Sequence, residues 1–248
     1  MRQGLCMIPR FYYPDFLNNS EFDYKQCHHL KNVLRIKLGQ KVILFDGNGG
    51  ETEVRIVSSL KSELSFERIG DVKFISRENI KKITIAQALC QKQRMDYIVQ
   101  KSAELGVESI IPIISSRCIV KLVPSRIPTK ILRWQSISNG ASQQCGRNKV
   151  TNVCNPMSFD DFIKKKHSDN TELIVLSPQG NVNLTDLPLK HKQNIFLLIG
   201  PEAGLSDFEE EKALFANFKP LQLGKRILRA ETASVAAISA INVLTGDF

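Results

Sequence analysis

The feature that most constrains the fold is a change of hydrophobic pattern near residue 80 of this 248-residue chain. From Lys82 onward, short apolar runs alternate with segments whose apolar residues recur at helical spacing. Such alternation predicts an α/β domain with a mostly parallel sheet. The predicted strands are residues 83–89, 109–115, 172–176, 194–199 and 221–223. The predicted helices are residues 95–105, 128–144, 207–217 and 232–244.

The first 72 residues have a different pattern, in which apolar and polar residues alternate with period two. Residues 41–45 form a predicted strand followed by Asp46-Gly-Asn-Gly-Gly50, a strong hairpin signal. The other predicted strands are residues 7–13, 51–57 and 63–69, and one helix is predicted at 26–35. Short strands at this spacing favour a small β-barrel. The sequence therefore predicts two domains, residues 1–72 and 78–248, with residues 70–79 as a linker.

The general class of the protein follows from what the sequence lacks. No apolar run approaches the roughly 20 residues that span a bilayer, and the first residues do not open a signal peptide. The six cysteines form no C-x-x-C pair, so reduced thiols are expected. Cys145, Cys154 and His167 match no metal-binding spacing. We therefore expect a soluble, cytoplasmic protein without a membrane span or a metal.

The distribution of charge indicates the kind of partner. The chain has a net charge of +9, and no Asp or Glu occurs between Ser109 and Phe159, a stretch that contains several Lys and Arg residues. A solvated surface of mixed sign would not exclude one sign over such a length. A surface that faces a polyanion would, because each neutralised phosphate releases counterions. Nucleic acid is the partner that this pattern favours over an ordinary basic surface.

Three predicted strands end in loops that suit a ligand. The loops are residues 176–178, 200–204 and 223–232, and the first two contain Pro or Gly while the third adds two arginines and a carboxylate. Glycine lets backbone amides approach a ligand closely, and ligands of parallel sheets bind at the carboxyl ends of strands. Neither a G-x-G-x-x-G motif nor a P-loop is present. Spacing alone leaves a small-ligand site and ordinary turns as alternatives.

Two of these loops resemble a known signature. Leu198-Ile-Gly-Pro-Glu-Ala-Gly-Leu205 and Leu223-Gly-Lys-Arg-Ile-Leu-Arg-Ala-Glu-Thr-Ala233 are similar to the paired C-terminal motifs of the ribosomal RNA small subunit methyltransferase E family, of the SPOUT class. Residues 7–12, 100–107 and 144–147 also resemble that family. The resemblance extends over nearly the whole chain.

The resemblance implies a fold, a reaction and partners. It implies a PUA-like RNA-binding β-barrel at the N-terminus, and a C-terminal SPOUT domain with a deep trefoil knot that forms a homodimer. The implied reaction is S-adenosylmethionine (SAM)-dependent methylation of N3 of one uridine in 16S rRNA of the 30S subunit, without a metal. Two alternatives stay open at this point. One is 2′-O-ribose methylation of another RNA by the same fold, and the other is a non-catalytic RNA-binding assembly factor.

Site residues follow from the implied reaction. Uracil N3 bears a proton, so the enzyme must remove it or stabilise the resulting imide anion. Arginine suits the second task because its donors stay charged. The predicted catalytic residues are Arg226, Arg229, Glu231 and Glu202, the two carboxylates as bases or as orienters of the arginines. The predicted RNA-binding residues are Arg10, Arg35, Arg117 and Arg147. The predicted cofactor-binding residues are Leu176, Ser177, Ile199, Gly200, Pro201, Glu202, Gly204, Leu223, Gly224, Arg226, Ile227, Leu228 and Ala230.

Two residues depart from the pattern of the family. Ala203 stands where a glycine is common, and alanine would cost on the order of 1 kcal/mol if that position needed a positive φ. Ala203 is also the only feature that favours the non-catalytic alternative. Gln143 stands where an acidic residue often precedes Gln144, so a catalytic carboxylate is not expected there.

Overall fold

The chain forms two compact units. The computed structural model describes it in three stretches, residues 8–33, 35–59 and 63–248. The first unit contains residues up to Arg77 together with Ser142–Val150, and the second contains Glu78–Ala141 and Thr151–Phe248. The predicted division placed residues 142–150 in the second domain, 78–248, whereas in the structure they belong to the first unit. The predicted start of the first strand, Met7, lies outside the described residues.

A five-stranded sheet forms the first unit. Its strands are β1 (Arg10–Tyr12), β2 (Lys41–Phe45), β3 (Gly50–Ser59), β4 (Leu64–Arg68) and β5 (Lys73–Phe74). The order is β1-β2-β3-β4, and β5 pairs with β3. β1 is parallel to β2, whereas the other pairs are antiparallel. Alternate residues of these strands are buried in one aromatic-rich core, as the period-two pattern predicted.

The predicted hairpin between β2 and β3 is confirmed. The side chain of Asp46 closes it, because its Oδ1 accepts hydrogen bonds from the backbone N–H groups of Asn48 at 2.7 Å and Gly50 at 2.9 Å. An Asp side chain that binds its own backbone in this way is a common device of tight turns. Gly47 has a φ of +81°, which explains why the turn needs a glycine at that position.

Two predictions for this unit were wrong in their bounds. The helix predicted at 26–35 is α1 (Tyr24–His28), continued as a π-helical turn to Val33. It begins earlier because Asp23 and Gln26 cap it reciprocally, each side chain accepting a 2.8 Å hydrogen bond from the backbone N–H of the other residue. The predicted linker 70–79 contains β5, a strand of two residues that is too short to show a periodicity.

The second unit is a parallel sheet with helices on both faces. Its strands are β6 (Lys82–Ala88), β7 (Ser109–Ile114), β8 (Asn152–Val153), β9 (Met157–Ser158), β10 (Thr171–Leu176), β11 (Asn194–Ile199) and β12 (Lys219–Leu221). Its helices are α2 (Lys92–Glu104), α3 (Ile127–Cys145), α4 (Phe159–Ile163), α5 (Asp207–Phe215) and α6 (Ala230–Thr245). The last four residues of α3, 142–145, and the five residues that follow them belong to the first unit.

The order of strands places the three predicted ligand loops side by side. The sheet runs β12-β10-β11-β6-β7-β8, with β9 also beside β7, and every described pairing in it is parallel. One core packs α2, α3 and α6 against one face. A second core packs α4 and α5 against the other face. The prediction of an α/β domain with a parallel sheet is confirmed, and the trefoil knot stays a prediction.

Sequence reasoning missed the short elements between α3 and β10. β8 and β9 have two residues each and α4 has five, which is too few for a periodic pattern. The long helices were predicted to within two or three residues, since buried residues such as Met95, Ile98 and Val99 mark the inner face of α2. Among the described helices, none is long and apolar enough to cross a membrane.

Candidate functional site

Three loops meet at one edge of the parallel sheet. β12, β10 and β11 are adjacent and parallel, so their carboxyl ends lie at the same edge. From these ends the chain continues as residues 177–179, residues 200–205 and residues 222–229. We refer to the last two segments as the 200–205 loop and the 222–229 loop. Adjacent strand ends are the reason that segments far apart in sequence come together here.

The three loops surround a pocket of about 120 Å³, which we call the strand-end pocket. Every residue predicted to bind the cofactor lines this pocket, so the sequence motifs converge on one cavity. The pocket is also lined by residues that were not predicted to bind the cofactor: Pro178, Leu205, Glu210, Leu221, Gln222 and Ala233.

Backbone geometry explains the glycines of the 200–205 loop and the alanine between them. A Cβ atom on Gly200 would lie 2.9 Å from the backbone nitrogen of Leu205, so the loop closes on itself only with glycine there. Gly204 has a φ of +73°. Ala203 is not among the described residues with a positive φ. The loop therefore avoids the conformation that would strain an alanine.

A buried hydrogen-bond network fixes the 200–205 loop to β6 and α6. The side chain of Gln87 donates from Nε2 to the carbonyl oxygen of Gly200 at 3.2 Å, and its Oε1 accepts from the hydroxyl of Ser234 at 2.9 Å. Both side chains are fully buried. Leaving either partner without its hydrogen bond would cost about 1–3 kcal/mol, so the network holds the first residue of the loop in place.

The other end of the 200–205 loop is fixed at the start of α5. Ser206 and Glu209 form a capping box there, in which each residue accepts a hydrogen bond from the backbone N–H of the other. The Glu209 carboxylate also accepts hydrogen bonds from the backbone N–H of Ser116 at 2.7 Å and from its hydroxyl at 2.9 Å. Burial would raise the pKa of Glu209, but the hydrogen bonds from Ser116 and Ser206 outweigh it and lower the pKa. The carboxylate is therefore ionised near neutral pH and ties α5 to the end of β7.

The two arginines of the 222–229 loop face different cavities. Both side chains are exposed, and within the described part of the chain neither makes a hydrogen bond or an ion pair. Arg226 lines the strand-end pocket. Arg229 is the N-cap residue of α6 and lines a second cavity of about 990 Å³. Two unpaired guanidinium groups beside adjoining cavities are available to bind an anion or a polarised oxygen.

The second cavity shares a wall with the strand-end pocket. Along the chain, residues 226–228 and Ala230 line the strand-end pocket, whereas Arg229, Glu231 and Thr232 line the second cavity. The rest of the second cavity comes from the start of α2 and from α6: Gln91, Lys92, Gln93, Arg94, Tyr97, Val235 and Ala236. Residues 226–232 thus border both cavities. The predicted cofactor residues line one of them, and mostly polar side chains together with Tyr97 line the other.

The two predicted catalytic carboxylates have a partner that the sequence analysis missed. Arg94 of α2 contacts Glu202 through Nη1 at 3.1 Å and Glu231 through Nε at 3.6 Å. The predicted pairing of these carboxylates with Arg226 or Arg229 is not found among the described residues. A lone arginine in the first turn of a helix gives no sequence signal, because its partners are more than 100 positions away.

The environment of Glu202 keeps it ionised. Burial would raise its pKa, but hydrogen bonds from the backbone of Gln91 and of Glu202 itself, and the charge of Arg94, outweigh burial and lower the pKa. The bond from the Gln91 N–H is 2.8 Å long and places the carboxylate at the N-terminus of α2. A carboxylate with a lowered pKa is a weak proton acceptor. The geometry therefore favours a positioning role for Glu202.

The four arginines predicted to bind RNA differ in availability. Arg10 forms a salt bridge with Glu51 at 2.8 Å and a hydrogen bond with Asn148. Arg147 is only 4% exposed. Both therefore support the interior of the first unit, which the sequence did not anticipate, and they offer RNA little surface. Arg35 is exposed, and Arg117 is about half exposed while donating to the Leu205 carbonyl at 2.9 Å. RNA binding by these residues stays a prediction.

The part of the chain that the structure describes has no metal-binding geometry. No group of three or more His, Cys, Asp or Glu side chains there is arranged to hold a metal ion. The residues considered for zinc do not form a cluster: Cys145 belongs to the first unit, whereas Cys154 and His167 belong to the second. The ring of His167 packs edge-on against Phe196, with 4.5 Å between ring centroids.

Comparison with known proteins extends this picture. Residues 77–242 match the family model of an RNA methyltransferase domain, and residues 23–67 match that of an RNA methyltransferase PUA domain. Ribosomal RNA small subunit methyltransferase E of Buchnera aphidicola (subsp. Schizaphis graminum) is 32% identical, over 97% of this chain and 98% of the relative.

Solved structures with this fold have been determined with a bound cofactor. A methyltransferase of Legionella pneumophila in complex with SAM has a TM-score of 0.89 and 34% identity, over 96% of this chain and 98% of the other. Ribosomal RNA small subunit methyltransferase E of Neisseria gonorrhoeae bound to SAM has a TM-score of 0.87 and 34% identity, with the same coverage. The chain described here thus belongs to the ribosomal RNA small subunit methyltransferase E family of RNA methyltransferases.

Proposed function

We propose that this protein is a SAM-dependent methyltransferase that methylates N3 of one uridine in the 16S rRNA of the small ribosomal subunit. The observation that carries the proposal is the convergence of both C-terminal motifs on the strand-end pocket, beside a second cavity that contains Arg229. Family membership supports the class of reaction, and the SAM complexes of two relatives with 34% identity support the donor.

The lining of the strand-end pocket suits SAM in its chemistry. Apolar side chains, among them Leu176, Ile199 and Leu228, offer flat contact to an adenine ring, while the nearby loops offer backbone polar groups. Gly200 and Gly204 keep the 200–205 loop compact, so that its backbone borders the pocket directly. We propose that the residues predicted to bind the cofactor hold SAM here, where it supplies an electrophilic methyl group.

The second cavity is the proposed position of the uracil. N3 needs an unprotonated lone pair, and loss of its proton leaves negative charge on the two flanking carbonyl oxygens. Arg229 borders this cavity without a protein partner, so its guanidinium is free to stabilise that charge. We propose Arg226, on the other side of the shared wall, for contact with the cofactor.

The carboxylates have a different role in this proposal. Glu202 is ionised, accepts hydrogen bonds and pairs with Arg94, which makes it a weak base. Glu231 lies in the first turn of α6, where a negative charge is favoured by the helix dipole. We propose that both carboxylates position the loops around the methyl donor, and that neither accepts the proton of N3.

Binding of RNA would involve further surfaces. The stretch without acidic residues between Ser109 and Phe159 supports contact with a polyanion. The match of residues 23–67 to a PUA domain model supports a second RNA-binding element. The homodimer stays a proposal. It rests on the small side chains along α6, where Ala233, Ala236 and Ala240 are half-buried in the single chain.

Transfer of a labelled methyl group tests the proposed function. Purified protein, labelled SAM and 30S subunits that lack the modification should give label in 16S rRNA. Digestion of that RNA to nucleosides and mass spectrometry should then give 3-methyluridine. Label on a ribose 2′-oxygen would support the alternative methyltransferase activity. An absence of label, with SAM binding retained or lost, would contradict the assignment of a uridine-N3 methyltransferase.

A glycine at position 203 should change little. Because Ala203 is exposed and outside the positive-φ region, Ala203→Gly relieves no strain and should alter the Kd for SAM less than about twofold. Isothermal titration calorimetry measures this directly. If the variant instead bound SAM ten times more tightly, alanine would be a defect in the loop, and the non-catalytic alternative would regain its motive.

A further inference from the structure

Among the described residues, Arg94 is the one cation that contacts both Glu202 of the 200–205 loop and Glu231 at the start of α6. It extends from the first turn of α2 to Glu202 in the 200–205 loop and to Glu231 at the start of α6. These carboxylates belong to segments that line different cavities. One side chain therefore links three segments that are distant in sequence.

Burial makes this contact more consequential than a surface ion pair. The side chain of Arg94 is 32% exposed, whereas those of Glu202 and Glu231 are only 12% and 18% exposed. In each carboxylate, the second oxygen is buried and has no hydrogen-bond partner. Removal of one member of a buried ion pair leaves an uncompensated charge and is much more costly than loss of an exposed pair.

The backbone at the start of α2 completes the arrangement. The N–H of Gln91 donates a 2.8 Å hydrogen bond to the same oxygen of Glu202 that Arg94 contacts. The 200–205 loop is thus bound to α2 at two points, the N-cap residue Gln91 and Arg94 in the first turn. Without Arg94, the bond from Gln91 would remain, and the two carboxylates would lose the cation that they share.

The charges of Arg94, Glu202 and Glu231 also act on the buried thiol of Cys90. Burial raises its pKa to about 12, and the charges of Glu202, Cys118 and Glu231 contribute in the same direction, whereas Arg94 alone opposes them. The two carboxylates thus outweigh the one guanidinium at this point in the interior. Arg94, which contacts both carboxylates, is the cation that opposes their charge there.

We propose that Arg94 is a positioning residue that holds Glu202 and Glu231 side by side, and thereby holds the 200–205 loop and the start of α6 in the arrangement that binds the methyl donor. The inference rests on the proposed function, because it concerns the affinity for SAM. It assigns to Arg94 no contact with the reacting atoms. Its effect should appear in the binding of SAM more than in the rate of methyl transfer once SAM is bound.

The test compares two substitutions on the same helix. Arg94→Met keeps the length of the side chain and removes its charge, and it should raise the Kd for SAM at least tenfold by calorimetry. Lys101→Met is the matched control, because Lys101 of α2 is 31% exposed, forms a 2.7 Å ion pair with Glu104 and lines neither cavity. The control should bind SAM within twofold of the wild type. Arg94→Lys, which restores one charged donor, should recover most of the affinity.

Two further readouts separate positioning from a general loss of structure. At saturating SAM, kcat of Arg94→Met should fall by a smaller factor than the affinity for SAM does. The double variant Arg94→Met/Glu231→Gln should bind SAM more tightly than Arg94→Met alone, because it removes the repulsion between the carboxylates. If Arg94→Met fails to fold, circular dichroism will detect this, and the double variant and Arg94→Lys then carry the comparison.

The outcomes are distinct. Wild-type protein that does not bind SAM would overturn the proposed function and this inference with it. Wild-type protein that binds SAM, while Arg94→Met binds it equally well, would overturn the inference alone. So would a double variant that folds but shows no recovery relative to Arg94→Met.

Discussion

Replacement of Arg229 by alanine is expected to lower kcat by about 10²- to 10³-fold or more, as seen when a donor that stabilises a developing anion is removed. The Arg229 side chain has no protein partner among the described residues, and it is exposed at the N-terminus of α6. Its loss therefore costs the fold little, so the thermal midpoint should stay within a few degrees of the wild type. Single-turnover methylation of 30S subunits with saturating SAM measures the effect.

A cation in the same loop serves as the control for Arg229→Ala. Lys225 is exposed and lines neither cavity. Lys225→Ala removes the same charge from the loop, so it accounts for any general weakening of RNA binding. It should leave kcat within about twofold of the wild type. Wild-type turnover in Arg229→Ala would remove this arginine from the catalytic set and shift attention to Arg226.

Replacement of Gly200 by alanine is expected to abolish measurable binding of SAM, raising the Kd by about 100-fold or more. A Cβ there would lie 2.9 Å from the nitrogen of Leu205 and 3.1 Å from the carbonyl carbon of Gly204. Both are backbone atoms, so no side-chain rotation can relieve the clash. The 200–205 loop would have to open. Its anchor to Gln87 through the Gly200 carbonyl would then be disturbed as well. Calorimetry with SAM measures the loss.

Gly140 provides the control for Gly200→Ala. It lies within α3, is exposed, and has no atom within 4 Å of an added Cβ. Gly140→Ala should stabilise the helix by about 0.5–1 kcal/mol and leave the affinity for SAM unchanged. Retention of wild-type affinity in Gly200→Ala would mean that the 200–205 loop has a different arrangement when SAM is bound.

The positions of the three loops could be predicted from local sequence patterns, whereas their role in binding a cofactor was implied by the family resemblance. Each of the three loops follows an apolar strand, and parallel strands that are neighbours in the sheet place their ends together. The Ser206 capping box and the Asp46 hairpin were predictable for the same reason, since their partners lie within four residues. Periodicity and turn chemistry report such short-range structure.

The contacts of Arg94, Arg10 and Arg147 could not be predicted in this way. Arg94 meets Glu202 at a distance of more than 100 positions, and Arg10 meets Asn148 similarly. Whether an arginine faces RNA or a carboxylate of its own chain depends on the tertiary fold, which composition does not report. A prediction from the excess of basic residues therefore counts side chains that are buried or paired within the chain as available to a polyanion.

The first unit is discontinuous along the chain, since residues 142–150 belong to it although the second unit begins at Glu78. Asn148 donates to the carbonyl of Ile75, and its own carbonyl accepts a hydrogen bond from the N–H of Gly49. During synthesis from the N-terminus, these partners emerge long before Asn148 does. Completion of the first unit therefore has to wait until more than half of the polypeptide has been made.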